Sequence, residues 1–156
     1  MKIWGKYNFE WTALIRPQLD DAGAIQAFHP SADYKNPQGL ALHAYGAGPF
    51  CKFHIPSDKT HAGVYVLTLN AKPNYIGECT NLANRYNSGY GAISPRTCYE
   101  GGQPAYCRVN HLIFNAAKAG QHIELWFLKT ANRPAVVSEL TKLLRPPWNQ
   151  RNFTNA

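Results

Sequence analysis

Five polar residues stand in an order that could support acid–base chemistry at an anion: Tyr65, Tyr75, Arg85, Glu139 and Asn149. The tyrosines lie in two tripeptides, Gly63-Val64-Tyr65 and Tyr75-Ile76-Gly77, with nine residues between them. A phenol ionises near pH ~10, so it exchanges protons at neutral pH only beside positive charge. A guanidinium presents a planar fork of donors that matches phosphate oxygens. One carboxylate, with water and substrate oxygens, suffices for a hard divalent cation such as Mg²⁺. Taken singly, each residue has a plainer reading. A strand tyrosine normally packs with its hydroxyl satisfied. An arginine or glutamate normally faces water, and an asparagine after a double proline is normally a turn residue. Glu139 sits between Val136 and Leu140, at the margin of an apolar stripe. Only the ordered set argues for a site.

The elements that must position these residues are clear beyond residue 60. Residues 63–69 (GVYVLTL) are β-branched and aromatic and read as a strand. A turn with Pro73 leads to a second strand from Tyr75, so the tyrosines occupy the two arms of a hairpin. Thr80 or Asn81 caps a short helix to about residue 87, with Leu82 and Tyr86 on one face. Residues 88–102 form a Gly-, Ser- and Pro-rich loop. A helix over 105–119 carries Val109, Leu112, Ile113 and Ala116 at helical spacing and stops at Gly120. Residues 122–129 form a strand. Asn132 then caps a helix to Leu144, with Pro134 in its first turn and Val136, Leu140, Leu143 and Leu144 as its buried stripe. The order is strand, strand, helix, helix, strand, helix. It predicts an α+β fold with a small three-stranded antiparallel sheet flanked by helices. Residues 1–60 read as an N-terminal extension packing on that core, available for DNA recognition or dimerisation, and 61–156 as the main domain. The extension shows an apolar stretch at 11–15, a helical-looking piece at 20–28 and a short strand at 50–55.

Composition narrows the class. The chain has 156 residues, 45% of them apolar, which suits one domain with an appendage. No run approaches the ~18 apolar residues of a membrane span. The first residues, MKIWGKYNFEW, lack a signal-peptide layout, so a cytoplasmic protein is expected. Sixteen Lys and Arg against nine Asp and Glu give a net charge of +7 and a pI near 9.3. Such a charge draws a small protein to phosphate backbones, or serves solubility alone. The four cysteines are expected to be thiols. Cys98, Cys107 and His111 could ligate zinc, although the CxxC pair usual in structural sites is missing.

The GVY and YIG tripeptides, followed in order by Arg85, Glu139 and Asn149, resemble the active-site set of the GIY-YIG nucleases. The block YIGECTNLANRYNSGYGAISPRTCYEGGQPAYCRVN further resembles a restriction-like prokaryotic subgroup. The likeness spans about residues 62–150 and includes the β-β-α-α-β-α element order. It implies a metal-dependent endonuclease, in the first instance one cutting double-stranded DNA at specific sites. It also admits a structure-specific or nicking nuclease of repair or recombination. Tyr65 would take a proton from the attacking water, and Tyr75 would hold that water or a phosphate oxygen. Arg85 would clamp the scissile phosphate. Glu139 would be the protein's carboxylate on a single Mg²⁺ or Mn²⁺ ion, and Asn149 would orient its surroundings. Double-strand cleavage by one site per chain would call for a homodimer or two sequential nicks.

The pattern departs from common family members in three places. Val64 replaces Ile, and Glu78 stands where many members carry Lys. Gly89 stands where some carry His, one helical turn after the arginine. Lys72, Arg96 and Arg108 are candidate compensating cations, and Tyr86 and Tyr90 are further hydroxyls near Arg85. Tyr90 and Arg96 lie in a loop that could approach a DNA backbone or simply be a structural Ω-loop. Two rivals stand beside the enzyme: a nucleic-acid-binding module without catalysis, and a zinc-stabilised interaction domain.

Overall fold

The computed structural model describes residues 1–150. Its strands are β1 (Lys2–Trp4), β2 (Tyr7–Leu14), β3 (Gly63–Leu69), β4 (Lys72–Cys79) and β5 (Ile123–Lys129). Its α-helices are α1 (Leu82–Arg85), α2 (Pro104–Lys118) and α3 (Arg133–Leu144). The strands form one antiparallel sheet in the order β1-β2-β5-β3-β4. The class is α+β, but the sheet has five strands rather than three, because residues 1–60 contribute β1 and β2. The alternation that would have announced β2 is broken by a bulge between Trp11 and Ala13. Phe9 before the bulge packs on one face of the sheet, and Ala13 and Ile15 beyond it pack on the other.

The rest of the N-terminal region holds little regular structure. Isolated bridges join Leu19 to Ile25, Phe28 to Phe50 and Leu42 to Tyr99. The helix expected at 20–28 is absent: Asp20 Oδ1 accepts from the amides of Ala22 and Ala24 and closes a turn through Gly23 at φ +85°. The strand expected at 50–55 reduces to the Phe50 bridge.

Helices cover both faces of β3, which is why all seven of its residues are buried. Tyr65, Leu67 and Leu69 point into a cluster with Leu82, Tyr86, Tyr90, Val109 and Ile113, beneath α1 and α2. Val64 and Val66 point the other way, onto Ile76, Trp126 and the Val136 and Leu140 of α3. Truncating a residue such as Leu140 to Ala costs about 2–5 kcal/mol. The buried stripe of α3 is narrower than expected: Leu143 is 58% exposed, on the flank that overhangs the Gly5 turn of the β1–β2 hairpin. Among the described residues no helix is long and apolar enough to cross a membrane.

Candidate active site

The β3–β4 register sets the tyrosines side by side. Tyr65 pairs with Gly77 and Leu67 with Tyr75, so both phenols project from the same face on adjacent strands. Gly77 is required there, since a Cβ at that position would lie 2.3 Å from the Tyr65 hydroxyl. Beyond β4, Asn81 caps α1 through its side chain, which accepts from the Asn84 amide. After one turn the helix widens into a π-helical segment over Tyr86–Tyr90. That widening adds a residue to the turn, so Tyr90 rather than Gly89 enters the site one turn beyond Arg85.

Of the two places the sequence offers Tyr90, a hydroxyl near Arg85 and a contact to nucleic acid, the structure gives it the first. It is 2% exposed and offers no open face to a nucleic acid. Its hydroxyl lies 2.6 Å from that of Tyr65 and 3.2 Å from that of Tyr75. The signal for it is the tyrosine spacing just beyond α1: Tyr86 and Tyr90, four residues apart, share a face of a helix that continues past Arg85.

Burial raises the Tyr65 and Tyr90 hydroxyls well above the ordinary phenol value; the neighbouring tyrosines add to the shift of Tyr65, while for Tyr90 the addition from Tyr75 is opposed by the Tyr65 hydrogen bond and by Arg85. Burial does the same for Tyr86, whose hydroxyl has no partner. Tyr65, expected to act as a base toward water, is therefore a fully buried neutral phenol at neutral pH. The half-buried hydroxyl of the set is Tyr75. Arg85, also half-buried, lies with its guanidinium 5.9 Å from the Tyr106 ring centre. Burial opposes its charge, but Tyr65, Tyr90 and Tyr106 more than offset that. Among the described residues only Lys6–Glu139 and His122–Glu124 come within ion-pair distance, so Arg85 has no carboxylate partner there.

Asn149 joins this assembly from the C-terminal side. Its side chain accepts from the Ile76 amide at 2.9 Å and donates to the Ile76 carbonyl at 2.8 Å, beside Tyr75. Arg108, on α2, donates to the Trp148 carbonyl. Lys72 is exposed at the start of β4. Arg96 lies half-buried over the Tyr34 ring, one of its terminal nitrogens enclosed without a partner.

Glu139 is not brought to the tyrosines. It lies on the flank of α3 that faces the β1–β2 hairpin, where its carboxylate accepts from Tyr7 Oη at 2.6 Å and lies 3.9 Å from Lys6 Nζ. The opposite flank of α3 faces β4 and carries Arg133, bonded to the Cys79 carbonyl. Glu139 and Tyr65 thus project from opposite layers of the sheet. Among the described residues no three His, Cys, Asp or Glu side chains converge on one point. The donors at the tyrosine cluster do not fit a divalent ion held by Glu139. Cys98, Cys107 and His111 do not converge either: both cysteines are buried, while His111 is engaged by the Pro49 carbonyl and Asn115.

No family model matches the chain, and no curated protein matches it. Among solved structures it is similar to a mutant of bacteriophage T4 EndoII, at 22% identity and a TM-score of 0.49, over 71% of this chain and 87% of that one. A likeness at that level carries no argument about activity, which has to rest on the chain's own residues.

Proposed function

We propose that the protein is a DNA endonuclease that hydrolyses phosphodiester bonds at the Tyr65–Tyr75–Tyr90–Arg85 cluster, in duplex DNA and at specific sites. The observation that carries this reading is Arg85, a half-buried cation with no carboxylate partner among the described residues, set beside three converging phenols. A guanidinium in such a setting is poised for an anion and stabilises charge that develops on a phosphorane. Tyr75, the half-buried member of the three phenols, orients the attacking water or a phosphate oxygen. Tyr90 and Tyr65 fix its direction from behind. The net charge of +7 favours a polyanionic substrate. Dependence on Mg²⁺ or Mn²⁺ is the part of the reading that the setting of Glu139 does not support.

That setting favours a second reading, a nucleic-acid-binding module that does not cut. One experiment separates the two: incubation of mixed-sequence duplex DNA with the purified protein, with Mg²⁺ or with EDTA, beside Arg85→Ala and Glu139→Ala. Discrete fragments lost in Arg85→Ala support the endonuclease. Retention of those fragments in Glu139→Ala separates that carboxylate from the chemistry. Binding without cleavage under every condition would sink the enzyme and leave the module.

A further inference from the structure

The end of the sheet where β3 begins and β4 and β5 finish is unusually cationic. Gly63 pairs there with Cys79 on one side and Lys129 on the other. The loop before β3 is tied to α1, since the Lys59 and His61 carbonyls accept from the Ala83 and Leu82 amides. Lys59, His61 and Lys129 are exposed. Arg133 reaches round the end of β4 from the α3 layer and donates to the Cys79 carbonyl at 2.9 Å. Its Nε is enclosed and has no partner. Arg85 stands at the tyrosine layer's side of the same end, as the last residue of the helix whose first turn is held by the loop before β3. The carboxylates in this neighbourhood are Glu78 and Asp58, and neither comes within ion-pair distance of a cation among the described residues. Two guanidiniums and two lysines thus stand at one sheet end without an ion pair among the described residues.

We infer that this end of the sheet is a phosphate track, with Arg133 and Lys129 holding backbone phosphates of the same nucleic-acid strand whose neighbouring phosphate lies on Arg85. The inference rests on the nucleic-acid reading above and extends it to residues outside the tyrosine cluster. The anchoring of Arg133 leaves part of its fork free while fixing its direction, which suits a contact that positions a strand without reading its sequence. Lys129 supplies a point charge on a flexible stem.

The test is equilibrium binding of a fluorescein-labelled duplex DNA across a salt series, with wild type, Arg133→Gln, Arg133→Lys and Lys129→Gln. Each lost phosphate contact lowers the slope of log K against log salt by about 0.9. The expected result is that loss in Arg133→Gln and in Lys129→Gln, with the slope restored in Arg133→Lys and with the drop equal on unrelated sequences. Lys129 is exposed, so its variant reports on binding even if Arg133→Gln destabilises the end of β4. Wild-type binding whose slope neither variant lowers would overturn the track while leaving the nucleic-acid reading intact. A wild type that fails to bind duplex or single-stranded DNA at low salt would remove both.

Discussion

The two faces of the sheet use the same strand to different ends. On one face β3 contributes Tyr65, and four more aromatic side chains with hydroxyls (Tyr75, Tyr86, Tyr90 and Tyr106) gather round it. On the other it contributes Val64 and Val66 to an apolar layer sealed by α3. Polar chemistry on the second face is sparse: Trp126 donates to the buried Thr68 hydroxyl, and Tyr7 and Lys6 hold Glu139 at the rim. Interior hydroxyls hydrogen-bonded to one another have stiff positions and depend on every member. A carboxylate on an exposed rim contributes to neither core.

Alkaline pH should break the comparison most sharply, because the buried phenols it acts on lie on one face. Tyr65, Tyr86 and Tyr90 bind their protons more tightly when folded than at the ordinary value of 10.0. The folded state therefore holds more protons above that pH, and their contribution is complete below pH 10 and lost as pH rises beyond it. For three such groups the loss is about 4 kcal/mol per pH unit. Cys51 and Cys107, pushed up to about 12 by burial, start the decline near their ordinary value of 9.0. Denaturant midpoints between pH 8 and 11 measure it; a flat profile would contradict the buried-phenol assignment.

Arg85→Ala comes next, with cleavage expected to fall about 10²–10³-fold while the thermal midpoint moves little. Arg85→Lys should recover only part of the rate, since a lysine lacks the fork. Tyr90→Phe leaves the Tyr65 hydroxyl without its partner and should cost about 1–3 kcal/mol, together with a lower rate at unchanged DNA affinity. The smallest effect is assigned to Glu139→Gln, paired with Tyr7→Phe: fragments and rate should match wild type in both. A loss of cleavage in Glu139→Gln but not in Tyr7→Phe would return Glu139 to the chemistry and dissolve the contrast between the faces.

Much of this was legible in the sequence where local rules operate. The GVYVLTL run, the Asn81 cap, the Gly120 stop and the Pro134 start fall where the elements lie. What failed had non-local or irregular causes. The β2 alternation was masked by its bulge. That Tyr90 meets Tyr65 and Tyr75 was not legible because regular helical counting passes over a π-turn. The setting of Glu139 depends on Tyr7, 132 residues away, and no spacing rule on α3 could reveal that.

Asn149 does more than steady a loop. By returning both a donor and an acceptor to Ile76, with the Trp148 amide bonded to the Asn74 carbonyl alongside, the C-terminal segment imitates a sixth strand. The outer rim of β4 is thereby closed to pairing with another chain, a common defence against edge-to-edge aggregation. A dimer built by pairing sheet edges would then use the short rim of β1, which has no further strand beside it among the described residues.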